Sequence, residues 1–285
     1  MRIVVDIEAK TTKVELGGKK WTDMSPFHPA NFLVSVGIKD IDSGISEYIY
    51  FRHKDFKPEI GEVERNKERV NWWLNNADEI IGSNFKFDLN WLRESGFKVP
   101  RHRSVRYYCT QIAEFLLSKG DTSIPFGLNQ TALRYGIPGK EDFDWSLGTI
   151  DQQPIEKVTS YGLQDLEVSE GVYRKQQERL LEPLNVSMVP ALSMMHDFMA
   201  VLSKWECRGI AISREELAKV RSEFELEYKQ LEQYIIAVAQ ERMGDTPFNI
   251  NSNDDLSALV YSRKPKDKKN WKNIFNLGTD IKGKI

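Results

Sequence analysis

Met1-Arg2-Ile3-Val4-Val5-Asp6-Ile7-Glu8-Ala9-Lys10 opens the chain with an apolar, β-branched run that two carboxylates interrupt. Successive Ile and Val predict a strand of buried type, as found inside an α/β sheet. Side chains alternate along a strand, so Asp6 and Glu8 leave the same face. Two carboxylates on one face of such a strand are costly unless something cationic neutralises them, and a divalent metal would do so. The plainer reading is a strand end already in solvent, where Asp-x-Glu is ordinary. Acids this early also exclude a secretory signal.

Outward from this strand, short β-rich runs alternate with helical ones. Phe32 to Ile38 and Glu47 to Phe51 read as strands, and Asp40 to Gly44 (DIDSG) between them carries hairpin turn chemistry. Glu62 to Asn75 is helical in pattern, Glu79 to Gly82 is a short strand, and Phe87 to Ser95 and Thr110 to Leu117 are helices. Gly127 to Tyr135 follows, then a long helix from Glu156 to Leu181. Together these predict an α/β fold, a mixed sheet flanked by helices.

Past Pro183 the strand signal stops. Val189 to Cys207 places Leu192, Met195, Met199 and Leu202 at helical spacing and ends at Gly209. Ser213 with Glu216 is a capping box opening a helix of about thirty residues, striped by Leu217, Val220, Phe224, Leu231, Ile235 and Val238. Ser252 with Asp255 opens a further short helix. A boundary is therefore expected near residues 182–188, between an α/β domain of residues 1–184 and an all-α appendage of residues 185–285.

The 285 residues carry 40 Lys and Arg against 42 Asp and Glu, so the net charge is −2. Read as a total, that excludes a histone-like basic binder. The distribution is uneven, however. From Arg263 to Ile285 eight basic residues face two acidic ones, a tail of +6 on a body of −8. Two cysteines, Cys109 and Cys207, cannot form a disulfide framework, and no apolar run approaches the ~18 residues of a membrane span. A reducing, cytoplasmic setting without a membrane partner is expected.

Two further acid-bearing segments stand out. Gly82-Ser83-Asn84-Phe85-Lys86-Phe87-Asp88 lies where a strand turns into a helix, so Asn84 and Asp88 could both face a cleft at the helix N-terminus. The alternative is an Asn-capped helix with a surface Asp. Tyr161-Gly162-Leu163-Gln164-Asp165 stacks a phenol and a carboxylate four residues apart on one helical face. That pair suits the placing of a water beside a metal; the alternative is a buried Tyr with a solvated Asp. The four histidines and two cysteines show no paired zinc-ligand spacing. Neither a phosphate-binding P-loop nor a Ser-His-Asp signature is present.

The order of these motifs is more specific than any one of them. Asp-x-Glu on an early strand, Asn-x-x-x-Asp at a strand-to-helix turn and Tyr-x-x-x-Asp on a late helix resemble the DEDDy 3′–5′ exonucleases. In particular, the chain resembles the proofreading domain of family A (DNA polymerase I-like) DNA polymerases of phage type. Trp21 to Gly37 (WTDMSPFHPANFLVSVG) is similar to the insertion after the first motif in phage members. Trp205 to Ile212 (WECRGIAI) and Phe248 to Ser252 (FNINS) resemble the segments that open the polymerase thumb. Two positions depart from the pattern. Ala9 stands where Thr is usual, and Cys109-Thr110 where Asp-Thr is common.

The resemblance implies an RNase H-like fold and a metal-dependent exonuclease that removes nucleotides from DNA 3′ ends. It implies that Asp6, Glu8, Asp88 and Asp165 hold two divalent ions, Mg²⁺ or Mn²⁺, with Asp6 bridging. Tyr161 would orient the attacking water, Asn84 would help fix the terminal nucleotide or the Asp6 region, and Lys86 would contact phosphate. Expected partners are a single-stranded DNA 3′ end, a primer-template duplex and the remainder of a polymerase or a partner polymerase subunit. The setting is then host cytoplasm if the gene is a phage's. The motifs for polymerisation lie beyond Ile285 in that family, so the chain is expected to be the amino-terminal part of a polymerase or a split subunit. Two other functions fit the same acids: a DNA-binding or assembly subunit without nuclease activity, and an RNase D-like RNA exonuclease.

Overall fold

The computed structural model describes residues 1–101, 104–139, 149–244 and 248–261. The basic tail, with Trp271 and Phe275, lies outside the described residues. Two compact units result, Met1–Gly209 and Ile210–Ile285.

The first unit is built on a five-stranded sheet in the order β5-β4-β1-β6-β7. The opening run forms β1 (Arg2–Lys10) at its centre. β1 pairs antiparallel with β4 (Phe32–Asp40), and β4 pairs antiparallel with β5 (Ser46–Tyr50). On its other side β1 runs parallel to β6 (Glu79–Gly82), which runs parallel to β7 (Arg106–Cys109). The expected mixed sheet flanked by helices is present.

The alternation of β1 decides which helices cover which face. Ile3, Val5 and Ile7 pack with Val70, Trp73 and Leu74 of α1 (Glu62–Asn76) and with Leu89 and Leu92 of α2 (Lys86–Glu94). Val4 packs on the opposite face, with Ala113 and Leu117 of α3 (Thr110–Leu117) and Leu166 and Tyr173 of α5 (Ile155–Leu180). α4 (Leu128–Arg134) buries Ala132 against Val168 and Val172 of α5. Asp6 and Glu8 share the parity of Val4 and are half-buried.

Two features of the sheet escape the sequence reading. Residues Thr12–Leu16 (β2) and Lys19–Asp23 (β3) form a separate antiparallel hairpin around Gly17-Gly18, both with positive φ, as a tight two-residue hairpin requires. The glycine pair was the available signal. β7 (RYYC) is as short as β6 but lacks the Ile80-Ile81 pair that declared that strand.

The boundary near residues 182–188 is displaced to Gly209. α6 (Val189–Arg208) packs on α2, α3 and β7 within the first unit, burying Leu192, His196, Met199, Ala200 and Ser203. Within Val186–Arg208 an 18-residue window reaches a mean hydropathy of 1.3, enough by length and composition for a membrane span, because the helix's buried face and much of its outer face are both apolar. Tyr108 and Cys109 are what the inner face covers, and His196 Nε2 accepts the Cys109 backbone N–H at 3.1 Å.

In the second unit Ser213 caps α7 (Arg214–Met243), its hydroxyl accepting the Glu216 N–H at 3.3 Å. Asp255 in α8 (Asn253–Tyr261) takes the Ser252 hydroxyl at 3.0 Å and the Asn249 N–H at 2.9 Å. Both capping expectations match. Of the apolar stripe, Leu217, Val220, Phe224 and Leu231 are exposed.

Candidate active site

Three carboxylates meet at one point. Asp6 and Glu8 from β1 and Asp165 from α5 place ligand oxygens within 4.8 Å of one another. β1 supplies its two acids through strand parity. α5 supplies the third because Leu166, the next residue, is buried against Val4 and anchors that turn of the helix on the sheet. Tyr161, one helical turn before Asp165, is half-buried.

Asp88 enters from the other side of β1. Its carboxylate accepts the Ile7 N–H at 3.2 Å, the backbone group lying between Asp6 and Glu8. Burial, then the charge of Asp6, push its carboxyl well above the usual carboxylate range. All four expected acids are thus gathered around residues 6–8, three in one cluster and Asp88 bound to the strand itself.

The backbone helps to shape the cluster. The β1–β4 register slips between Glu8 and Ala9, so Glu8 faces Ser35 while Ala9 faces Leu33. Such a bulge bends a strand and re-aims its side chains. The slip falls at Ala9, the position where Thr was expected.

Tyr48 and Ser35 were missed in the sequence. The Ser35 hydroxyl donates to the Tyr48 hydroxyl oxygen at 2.9 Å, and burial together with the charge of Glu8 keeps that phenol protonated. The Tyr48 ring also fills the space left by Gly162, where a Cβ would come to 2.1 Å of it. Within Tyr-Gly-Leu-Gln-Asp, then, the glycine is what lets α5 lie close over β5. The motif's glycine was a signal for a close neighbour, though not for which one.

The two expected substrate-binding residues differ. Asn84 is exposed and left-handed (φ 51), and its carbonyl caps the start of α2 by accepting the Phe87 N–H at 2.9 Å. Lys86 makes an ion pair with Glu206 of α6 at 2.6 Å, and Asn90 donates to the other Glu206 oxygen at 2.8 Å. In this structure Lys86 ties α2 to α6.

The donor set fits a hard divalent cation: clustered carboxylate oxygens, with a fourth acid that burial and its neighbours keep from ionising alone. Asp6, Glu8 and Asp165 offer one such site, and Asp88 beside Asp6 extends it.

No family model matches the chain, and no curated protein matches it. Among solved structures it is similar to NrnC of Brucella melitensis, at a TM-score of 0.47 and 16% identity over 74% of this chain and 88% of that one. It is also similar to a mutant of the catalytic core of RRP6 from Trypanosoma brucei, at 0.46 and 16% over 70% of this chain and 46% of that one.

Proposed function

We propose that the chain is a divalent-metal-dependent 3′–5′ exonuclease that hydrolyses the terminal phosphodiester of a single-stranded nucleic-acid end, releasing nucleoside 5′-monophosphates. The observation that carries this reading is the convergence of Asp6, Glu8 and Asp165 within 4.8 Å, with Asp88 hydrogen-bonded to the backbone between the first two. Bound metal would lower the pKa of an attacking water and stabilise the leaving 3′ oxygen.

The chain's own residues have separate tasks. Asp6, Glu8 and Asp165, with Asp88 bound to the same strand, would hold the divalent ions. Tyr161 orients the water from the helix face that carries Asp165. Tyr48, held by Ser35, packs on Gly162 and so fixes the approach of the helix that carries Asp165. Asn84 meets the terminal nucleotide at the mouth of the helix turn. DNA is the preferred substrate on the resemblance of residues 205–212 and 248–252 to polymerase segments, and the polymerase association rests on the same two segments.

A 5′-labelled single strand incubated with Mg²⁺ or Mn²⁺ should shorten stepwise from its 3′ end, and EDTA or Asp6→Ala should stop it. Shortening that survives both would overturn the reading. Matched DNA and RNA oligomers decide between a proofreading-type and an RNase D-like enzyme, and salt-sensitive binding without shortening would mark a binding subunit.

A further inference from the structure

At the strand-to-helix turn that leads to Asp88, α6 builds a cavity of about 260 Å³, lined by Asn84, Gln111, Ile112, Met195, Phe198 and Leu202. Asn84 lies one turn before Asp88, and Cys109, also on the cavity wall, accepts the Phe85 N–H at 3.4 Å, closing the turn that carries Asp88. The cavity and Asp88 thus share one strand-to-helix turn.

Its chemistry is that of a stacking site. Thioether, aromatic and aliphatic groups form the wall, and Phe198 is 58% exposed although it is a large apolar side chain. The charge of Lys86 at the rim is matched by Glu206, which leaves little to attract a phosphate. Asn84 and Gln111 supply two carboxamides, each able to donate to and accept from the polar edge of a heterocycle.

We propose that this cavity seats a nucleobase of the single-stranded 3′ end, stacked on Phe198 and Met195. This rests on the exonuclease reading of the acidic cluster. Recognition is by the face of the base, so it tolerates any sequence but not a missing base. The helix that the sequence placed outside the exonuclease body then forms part of its substrate path.

The test uses the full chain, Mg²⁺ and a fluorescent single-stranded oligomer blocked against hydrolysis by terminal phosphorothioates. An otherwise identical oligomer lacks the bases of its last three nucleotides. Wild type should prefer the base-bearing oligomer by roughly five- to a hundredfold, the range of one stacked base. Phe198→Ala, at an exposed position, should shrink that ratio towards one, and Phe198→Trp should keep it. Equal affinity of wild type for both oligomers, or an unchanged ratio in Phe198→Ala, overturns the proposal. Discrimination without cleavage of an unblocked oligomer would keep the cavity and sink the exonuclease reading. Cleavage without discrimination would do the reverse.

Discussion

Tyr48 packs on Gly162 with no room for a methyl group between them. Because Gly162 sits between Tyr161 and Asp165, this contact sets how closely α5 approaches the sheet. Gly162→Ala should lift the helix at a cost of about 1–3 kcal/mol, as over-packing does, and should draw Asp165 away from Asp6 and Glu8. Urea unfolding reads the first effect and metal-dependent cleavage the second. Combined with Tyr48→Ala, which opens the space, the loss of stability should be smaller than the sum of the two single losses. Wild-type unfolding and cleavage in Gly162→Ala would show that the contact does not position Asp165.

Asp88 should make stability depend on pH and, with the proposed ions bound, on metal. Its folded pKa is raised, by burial first and Asp6 second, so the unfolded chain loses this proton earlier than the folded one. Stability contributed here therefore falls as pH rises from the ordinary value of 3.8 through the folded pKa, and stays low above it. In EDTA at pH 8, Asp88→Asn should unfold at higher urea than wild type, since Asn keeps an oxygen for the Ile7 N–H. Millimolar Mg²⁺ should close that gap by stabilising wild type alone. Cleavage by the variant should drop by roughly 10³-fold, in line with several kcal/mol of lost metal assistance. A variant no more stable than wild type in EDTA would contradict the cost of ionising the buried Asp88 beside Asp6.

His196 titrates in the opposite sense. Burial lowers its pKa from 6.5 to about 4, and the Cys109 N–H bond requires a neutral acceptor at Nε2. The unfolded chain then binds a proton between those values that the folded chain refuses. Stability is complete above 6.5 and falls as pH drops towards 4, by about 3 kcal/mol at 1.36 kcal/mol per unit. Unfolding midpoints of His196→Gln, which retains an acceptor but does not titrate, should be flatter over that interval. Parallel pH curves for the two proteins would remove His196 as the cause.

The Lys86–Glu206 pair is partly exposed, at 38% and 34% of the two side chains. Breaking it should cost under about 1 kcal/mol. Lys86→Ala and Glu206→Ala should each cause that small loss, and the double variant should lose little more. Oligomer affinity should fall less than twofold in Lys86→Ala. A tenfold fall would restore Lys86 to the phosphate contact expected from the sequence.

The β-branched run at Ile3 to Ile7 and the strand parity of Asp6 and Glu8 were legible because alternation is a local property. Helices α1 to α8 were legible for the same reason, with Ser213 and Ser252 marking the starts of α7 and α8. What stayed hidden is the product of long-range pairing. Ser35 faces Glu8 only through the β1–β4 register and Tyr48 reaches Ser35 from β5, and nothing near residue 8 announces either. The slip of register at Ala9 is likewise invisible, since it is a relation between two strands. α6 was read as an appendage because its sequence neighbours are helices, whereas its partners are α2 and β7, some hundred residues earlier.

That placement of α6 decides where the polypeptide can be divided. A protease nick or a designed stop after residue 184 would take away Leu192, Met199 and Ala200 from the core, and the only side chain bonded to the Cys109 amide among the described contacts. The first unit would be left with an open flank and would be expected to aggregate. Gly209, with its positive φ, ends α6 only after that helix has made its contacts, so a cut there leaves the core of the first unit intact.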